Sequence, residues 1–128
     1  MKLLLDTHVF LWLNDDPNKL SPASRLVCDD PANSLYISLT SIWEIQIKHQ
    51  LGKLQFDLPW QDMLKVQQQD NGMILLPIEI SHIAALENLP PVHRDPFDRL
   101  LIAQAIQENM TLLSADSVFA HYPVPVIS

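Results

Sequence analysis

The side chains of this sequence that are placed to do chemistry are acids. Asp6 closes the apolar run Lys2-Leu3-Leu4-Leu5, so it is expected at the carboxyl end of a buried strand, the edge at which open α/β sheets bind ligands. Asp116 repeats the arrangement after Leu112-Leu113-Ser114-Ala115. Each of the two could equally cap a following helix, because a short acid between strand and helix accepts hydrogen bonds from the first free amides. Asp98 shares a helical stripe with Leu101, Ile102 and Ala105, its i+3, i+4 and i+7 neighbours. A carboxylate therefore begins a core-facing side, and burying an ionised acid is costly unless it is paired or holds a metal. The alternative is that Asp95 and Asp98 together complement the positive end of that helix; capping is assigned to Asp95. Glu44 stands three residues after Ser41 and four before Lys48, which reads as a capping box and a surface pair. Taken alone it is structural, although a helical projection puts it beside Ile47 and Leu51 at the edge of an apolar face.

Other catalytic motifs are missing. Gly52 and Gly72 are the only glycines, so neither a dinucleotide fingerprint nor a Walker loop can be written. There is no G-x-S-x-G elbow and no H-E-x-x-H pair. The lone Cys28 excludes an intrachain disulfide and a multi-cysteine zinc site, and is expected as a buried helix residue. A net charge of −7 argues against a nucleic-acid binder, which normally carries a basic footprint. That objection weakens if the acids gather around a cation, which cancels their charge locally.

The elements that must position these acids are those of one domain of 128 residues, expected to span 1–128 without a linker or repeat. Short apolar runs alternate with segments of helical period, the pattern of an α/β fold on a mostly parallel sheet. Strands are expected at Lys2 to Leu5, Leu35 to Ser38, Met73 to Ile78, Thr111 to Ser114 and near Pro125 to Ile127. Helices are expected to open at Ser21-Pro22, at Ser41 with its end at Gly52, over Pro59 to Asp70, from Ser81 to Leu89, and over Pro96 to about Asn109. Trp12 and Trp43 lie in apolar helical stretches and are expected in the core. No run approaches the roughly twenty apolar residues of a membrane span. Met1 to Leu5 is too short for a secretory signal, so a cytoplasmic protein is expected.

Taken together, the acids carry a resemblance. Leu4-Leu5-Asp6-Thr7-His8, Ser41-Ile42-Trp43-Glu44-Ile45, the segment Asp95-Pro96-Phe97-Asp98-Arg99-Leu100-Leu101-Ile102-Ala103-Gln104-Ala105 and Leu113-Ser114-Ala115-Asp116 resemble, in this order, the segments of PIN domains, those of VapC-type toxins above all. The likeness runs through essentially the whole chain. It implies a three-layer α/β/α sandwich, endonucleolytic cleavage of RNA, dependence on Mg²⁺ or Mn²⁺, a homodimer, and neutralisation by an antitoxin protein encoded alongside. It places Asp6, Glu44, Asp98 and Asp116 on the family's acidic positions, as catalytic and metal residues, with Thr7 or Ser114 on the hydroxyl positions beside them. Ser114 stands where a threonine is usual, and Asp116 falls on the least constant of the acids.

On this reading the crowded carboxylates repel one another unless a hard cation joins them. Asp6 and Asp98 are its central ligands, with Glu44 and Asp116 flanking. Lys48, Lys53, Arg94 and Arg99 are candidate phosphate contacts, and His8 and His93 flank the acids. The competing classes are a haloacid-dehalogenase phosphatase, a receiver-like domain and a PIN fold without activity. The first needs a second Asp two residues after Asp6, where His8 stands, and the second needs acids nearer the first strand than Asp15 and Asp16. Retention of all four acids speaks against the third.

Overall fold

A computed structural model describes all residues, 1–128. Five strands form one sheet: β1 (Lys2–Leu5), β2 (Ser34–Ser38), β3 (Ile74–Leu76), β4 (Thr111–Leu113) and β5 (Val126–Ile127). Their order is β3-β2-β1-β4-β5 and every pairing is parallel, so the sheet expected to be mostly parallel is wholly so. Six α-helices connect the strands: α1 (Thr7–Asp15), α2 (Pro22–Asp29), α3 (Leu39–Gln50), α4 (Trp60–Asn71), α5 (Ile80–Ala85) and α6 (Pro96–Gln107). Short 3-10 turns lie at Pro17–Lys19, Leu86–Asn88 and Ser117–His121.

Three layers follow from the period-two alternation of a strand. Leu3 and Leu5 face one side of β1 and pack with Val9, Phe10, Leu35, Ile37, Ile45 and Met63. Leu4 faces the other side and packs with Leu101, Ile102, Leu112 and Phe119. Helices α1, α3 and α4 thus cover one face and α6 the other. None of the three leucines of β1 is exposed, which is why the run carries no polar residue.

The direction of sheet growth reverses between β1 and β4. From β1 the chain adds β2 and β3 on one side and later returns to add β4 and β5 on the other. Such a switch point leaves a crevice at the carboxyl ends of the two central strands. Asp6 follows β1 and Ser114 follows β4, with the Asp6 N–H donating to the Leu113 carbonyl across the junction.

Local signals set most helix ends. Ser21 caps α2 ahead of Pro22, and the Asp95 carboxylate accepts from the N–H groups of Phe97 and Asp98 at the start of α6. Gly72 ends α4 at φ 61°, a left-handed conformation that a side chain resists. Two helix starts differ from expectation. Helix α3 begins at Leu39, capped by Ser38, so Ser41 lies inside the helix and its capping box with Glu44 does not form. Helix α5 begins at Ile80, with Glu79 at its cap, and beyond Ala85 it tightens into the 3-10 turn. Trp43, expected in the core, is 58% exposed, and Trp12 and Cys28 are half-buried. Burial, then the charge of Asp29, pushes the Cys28 thiol up to about 11. No helix is long and apolar enough to cross a membrane.

Candidate metal centre

Asp6 caps the following helix and is also tied to the neighbouring strand end. Its Oδ1 accepts the Thr7 N–H at 2.7 Å, capping α1, while Oδ2 accepts the Ser114 hydroxyl at 2.8 Å. The side chain is buried, and burial raises its pKa above the usual carboxylate range against the opposing bonds of Ser114 and Thr7; nearby Glu44 raises it further.

Glu44 is buried on α3, one turn in from its start. Its Oε1 accepts the Thr7 hydroxyl at 2.6 Å, and its Oε2 pairs with Lys48 Nζ at 2.8 Å. Thr7 has one hydroxyl proton and gives it to the carboxylate, so the Ser41 hydroxyl, 3.0 Å away, is the donor to Thr7. The residue that alone reads as structural thus belongs to a chain running Ser41, Thr7, Glu44, Lys48.

Asp98 enters from the start of α6, half-buried, with Oδ2 2.7 Å from His93 Nε2. Burial pushes its carboxyl up to about 6; the His93 bond opposes this, while the charges of Asp95, Asp6 and Glu44 reinforce it. Three carboxylates from β1, α3 and α6 therefore share one electrostatic field, and two of them resist ionisation in it. Their donor atoms are all oxygen, which suits a hard divalent cation.

Asp116 stands apart. It is exposed, and its Oδ1 accepts the Val118 N–H at 3.0 Å, capping the 3-10 turn that begins at Ser117. Its own N–H donates to the Ser114 hydroxyl at 3.0 Å, and that hydroxyl in turn holds Asp6. Asp116 and Asp6 line a depression of about 220 Å³ with His8, Trp12 and Ala115. The structure therefore brings Asp6, Glu44 and Asp98 within range of one another's charge and sets Asp116 along the rim.

The basic residues divide. Burial pulls the Lys48 pKa down, yet the hydrogen bond and charge of Glu44, with Asp95 and Asp98, outweigh it and leave it raised. Its ammonium has one bond, to Glu44, and two hydrogens to spare. Lys53 and Arg94 are exposed. Arg99, a candidate phosphate contact, instead donates to the carbonyls of Pro90, His93 and Leu86 and clamps the loop before α6. Sequence reasoning passed over Tyr122, whose hydroxyl accepts the His93 N–H at 2.8 Å, and gave no sign of the bond from His93 to Asp98.

Two groupings have ligand atoms within 4.8 Å of one another, His93 with Asp95 and Asp98, which shares Asp98 with the acids of the crevice, and Glu79 with His82 and Glu108. The second is internally satisfied: His82 Nδ1 accepts the Glu79 N–H, so Nε2 carries the ring proton and gives it to Glu108 at 2.9 Å. A protonated ring nitrogen has no lone pair for a metal.

The fold that carries this crevice is matched by known proteins. The family described as PIN domain matches residues 3–125. The chain belongs to the PIN-domain family. Ribonuclease VapC22 of Mycobacterium tuberculosis (strain ATCC 25618 / H37Rv) is 27% identical over 117 residues, 89% of this chain and 86% of that protein. Among solved structures, VapBC2 from Rickettsia felis bound to a DNA fragment from their promoter superposes with a TM-score of 0.73 at 16% identity, covering 99% of this chain and 98% of that one. DNA-bound VapBC from Salmonella typhimurium gives 0.68 at 12% identity over 99% and 97%. FitAcB from Neisseria gonorrhoeae gives 0.62 at 19% identity over 98% and 96%. At such identities these likenesses establish the fold. The three-layer PIN fold is thus found by sequence family and by superposition alike, with its crevice at the carboxyl ends of β1 and β4.

Proposed function

We propose that this chain is a single-domain, metal-dependent endoribonuclease, the toxin of a toxin–antitoxin pair acting in the cytoplasm. One observation carries the reading: three buried or half-buried carboxylates from separate elements share a field at the switch point of a PIN fold. The named relative VapC22 is a ribonuclease, which supports RNA as substrate. Asp6 and Asp98 would be the central ligands of Mg²⁺ or Mn²⁺, with Glu44 and Asp116 flanking, directly or through water. Such a cation supplies a water of lowered pKa and charge stabilisation at the phosphate.

The chain's own residues do the rest. Ser114 and Thr7 hold one oxygen each of Asp6 and Glu44, which fixes how those carboxylates turn. Lys48, with hydrogens to spare beside the acids, is the basic residue placed to meet a phosphate oxygen. A net charge of −7 is compatible with RNA only when cations neutralise this crevice. Purified protein is therefore expected to cut pooled cellular RNA in Mg²⁺ or Mn²⁺ and to leave it whole in EDTA. Equal cleavage in EDTA, or none with metal, would remove the nuclease reading.

Two protein partners belong to the proposal. The structural relatives named VapBC support a small antitoxin protein, and growth arrest on expression of this chain alone, relieved by its co-encoded partner, is the expected sign. A second copy is the other. Leu39 and Trp43, one turn apart on α3, are exposed, and Trp43 meets Phe97 edge-on at 5.4 Å, so an apolar face flanks the acids. Sedimentation equilibrium should show a dimer, and Trp43→Ser should weaken it by about 2 kcal/mol, roughly thirtyfold in dissociation constant. A wild-type monomer at tens of micromolar would contradict the dimer.

A further inference from the structure

The loop between the Leu86–Asn88 turn and α6 is held with more bonds than a connection needs. Arg99 donates to the carbonyls of Pro90, His93 and Leu86 from the α6 side. Tyr122, buried just beyond the Ser117–His121 turn, accepts the His93 N–H at 2.8 Å. The His93 N–H is thus held by Tyr122, while its carbonyl lies 3.5 Å from Arg99 Nη1, at the limit of hydrogen-bond reach. The consequence is at the ring, whose Nε2 lies 2.7 Å from Asp98 Oδ2. Nε2 donates here, since an ionised carboxylate only accepts. One oxygen of Asp98 is thereby occupied, and Oδ1 receives no hydrogen bond from the protein.

We propose that His93 is the positioning residue of Asp98, holding Oδ2 so that Oδ1 alone faces the cation. The inference rests on the reading of Asp98 as a metal residue. A carboxylate anchored through one oxygen meets a metal through the other in a fixed direction. Left free, it would rotate and would sample two-oxygen contacts that the octahedral preference of Mg²⁺ disfavours. Nε2 of His93 is spent on Asp98 and is not available to a cation, so only Nδ1 could ligate directly, a contact that spin-echo spectra detect. Tyr122 and Arg99 act one step further out by fixing the backbone that carries the ring.

Calorimetric titration of the full chain with Mg²⁺ and Mn²⁺ tests this without reference to turnover. Partners that orient metal ligands are worth about 10–100-fold in affinity, so His93→Ala should weaken binding by at least about tenfold. His93→Gln, which keeps an amide donor at similar reach, should recover most of the loss. Tyr122→Phe, with the ring intact, should fall between wild type and His93→Ala. Electron spin-echo spectra of the Mn²⁺-loaded protein separate positioning from ligation: no histidine nitrogen coupling is expected, and a directly coordinated nitrogen would overturn the assignment. Affinity unchanged in His93→Ala while Asp98→Asn abolishes binding would overturn the positioning role alone. Binding unchanged in Asp98→Asn would overturn the underlying metal reading as well.

Discussion

Asp98→Asn is expected to lose RNA cleavage by about 10³-fold or more and, in EDTA, to unfold at a higher temperature than the wild type. On the proposed reading the first effect follows from removing a charged ligand of a cation that would contribute several kcal/mol of charge stabilisation, each 1.36 kcal/mol being about tenfold in rate. The second follows from the carboxyl pushed up to about 6 in the folded chain, against 3.8 for an unperturbed aspartate. Between those values the folded state holds a proton that the unfolded state has lost. Stability through this group therefore falls as pH rises from about 4 to 6 and stays low above it. Buried Asp6, whose pKa is also raised, acts in the same direction.

The neutral amide escapes this penalty, and its carbonyl still accepts from His93. The shift corresponds at most to about 3 kcal/mol, and the partial exposure of Asp98 reduces the gain to about 1–2 kcal/mol at pH 7.5. Melts of both proteins in EDTA at pH 7.5 and pH 4 check it: the variant should melt several degrees higher at pH 7.5, with the gap closing at pH 4. A variant less stable at both pH values would mark Asp98 as a structural acid. The combination is the familiar exchange of stability for function at a site built from like charges.

Phe119→Ala is expected to give the largest loss of stability of any substitution considered, about 3–5 kcal/mol. Phe119 is fully buried against the face of the sheet that carries Leu4 and Leu112, among Leu101 and Ile102 of α6. The 3-10 turn that carries it is too short to persist alone, so this ring fastens the segment bearing Asp116 and Tyr122. Against a total of about 5–15 kcal/mol, the loss would bring the variant near unfolding at 37 °C. Denaturant titration should show a much lower midpoint with an unchanged slope, while Ile80→Ala, at an 85% exposed position, should stay within about 0.5 kcal/mol. A Phe119→Ala midpoint equal to that of Ile80→Ala would show that the turn packs loosely.

What the sequence made legible was whatever short-range chemistry decides. The Leu3-Leu4-Leu5 run announces a strand covered on both faces, and Asp95-Pro96 announces the start of α6, because cap and φ restriction act within a few residues. The start of α3 was not legible, since Ser38 and Ser41 are equally good caps and only the end of β2 at Ser38 chooses between them. Ser41 then turns inward to donate to Thr7, a partner 34 residues away.

The acids show the same division. Asp6 and Asp98 could be placed by the strand and stripe that carry them. Glu44 could not, because its inward turn depends on Thr7, and Asp116 carried two local readings of which the structure realises the cap. Trp43 reads as core from its apolar neighbours, yet it meets Phe97 with one edge and stays 58% exposed. Arg99 reads as a phosphate contact from charge alone, whereas its three carbonyl acceptors are supplied by the path of a loop that no local pattern encodes.

On the proposed reading Asp6, Glu44 and Asp98 converge to hold a divalent cation. Anomalous diffraction from crystals of the full chain soaked in Mn²⁺ tests it most directly. A manganese peak within bonding distance of Asp6 and Asp98 carboxylate oxygens, with Glu44 in contact directly or through water, is the predicted result. Saturating Mn²⁺ that left this crevice empty, or that bound only at Glu79 and Glu108, would contradict the account.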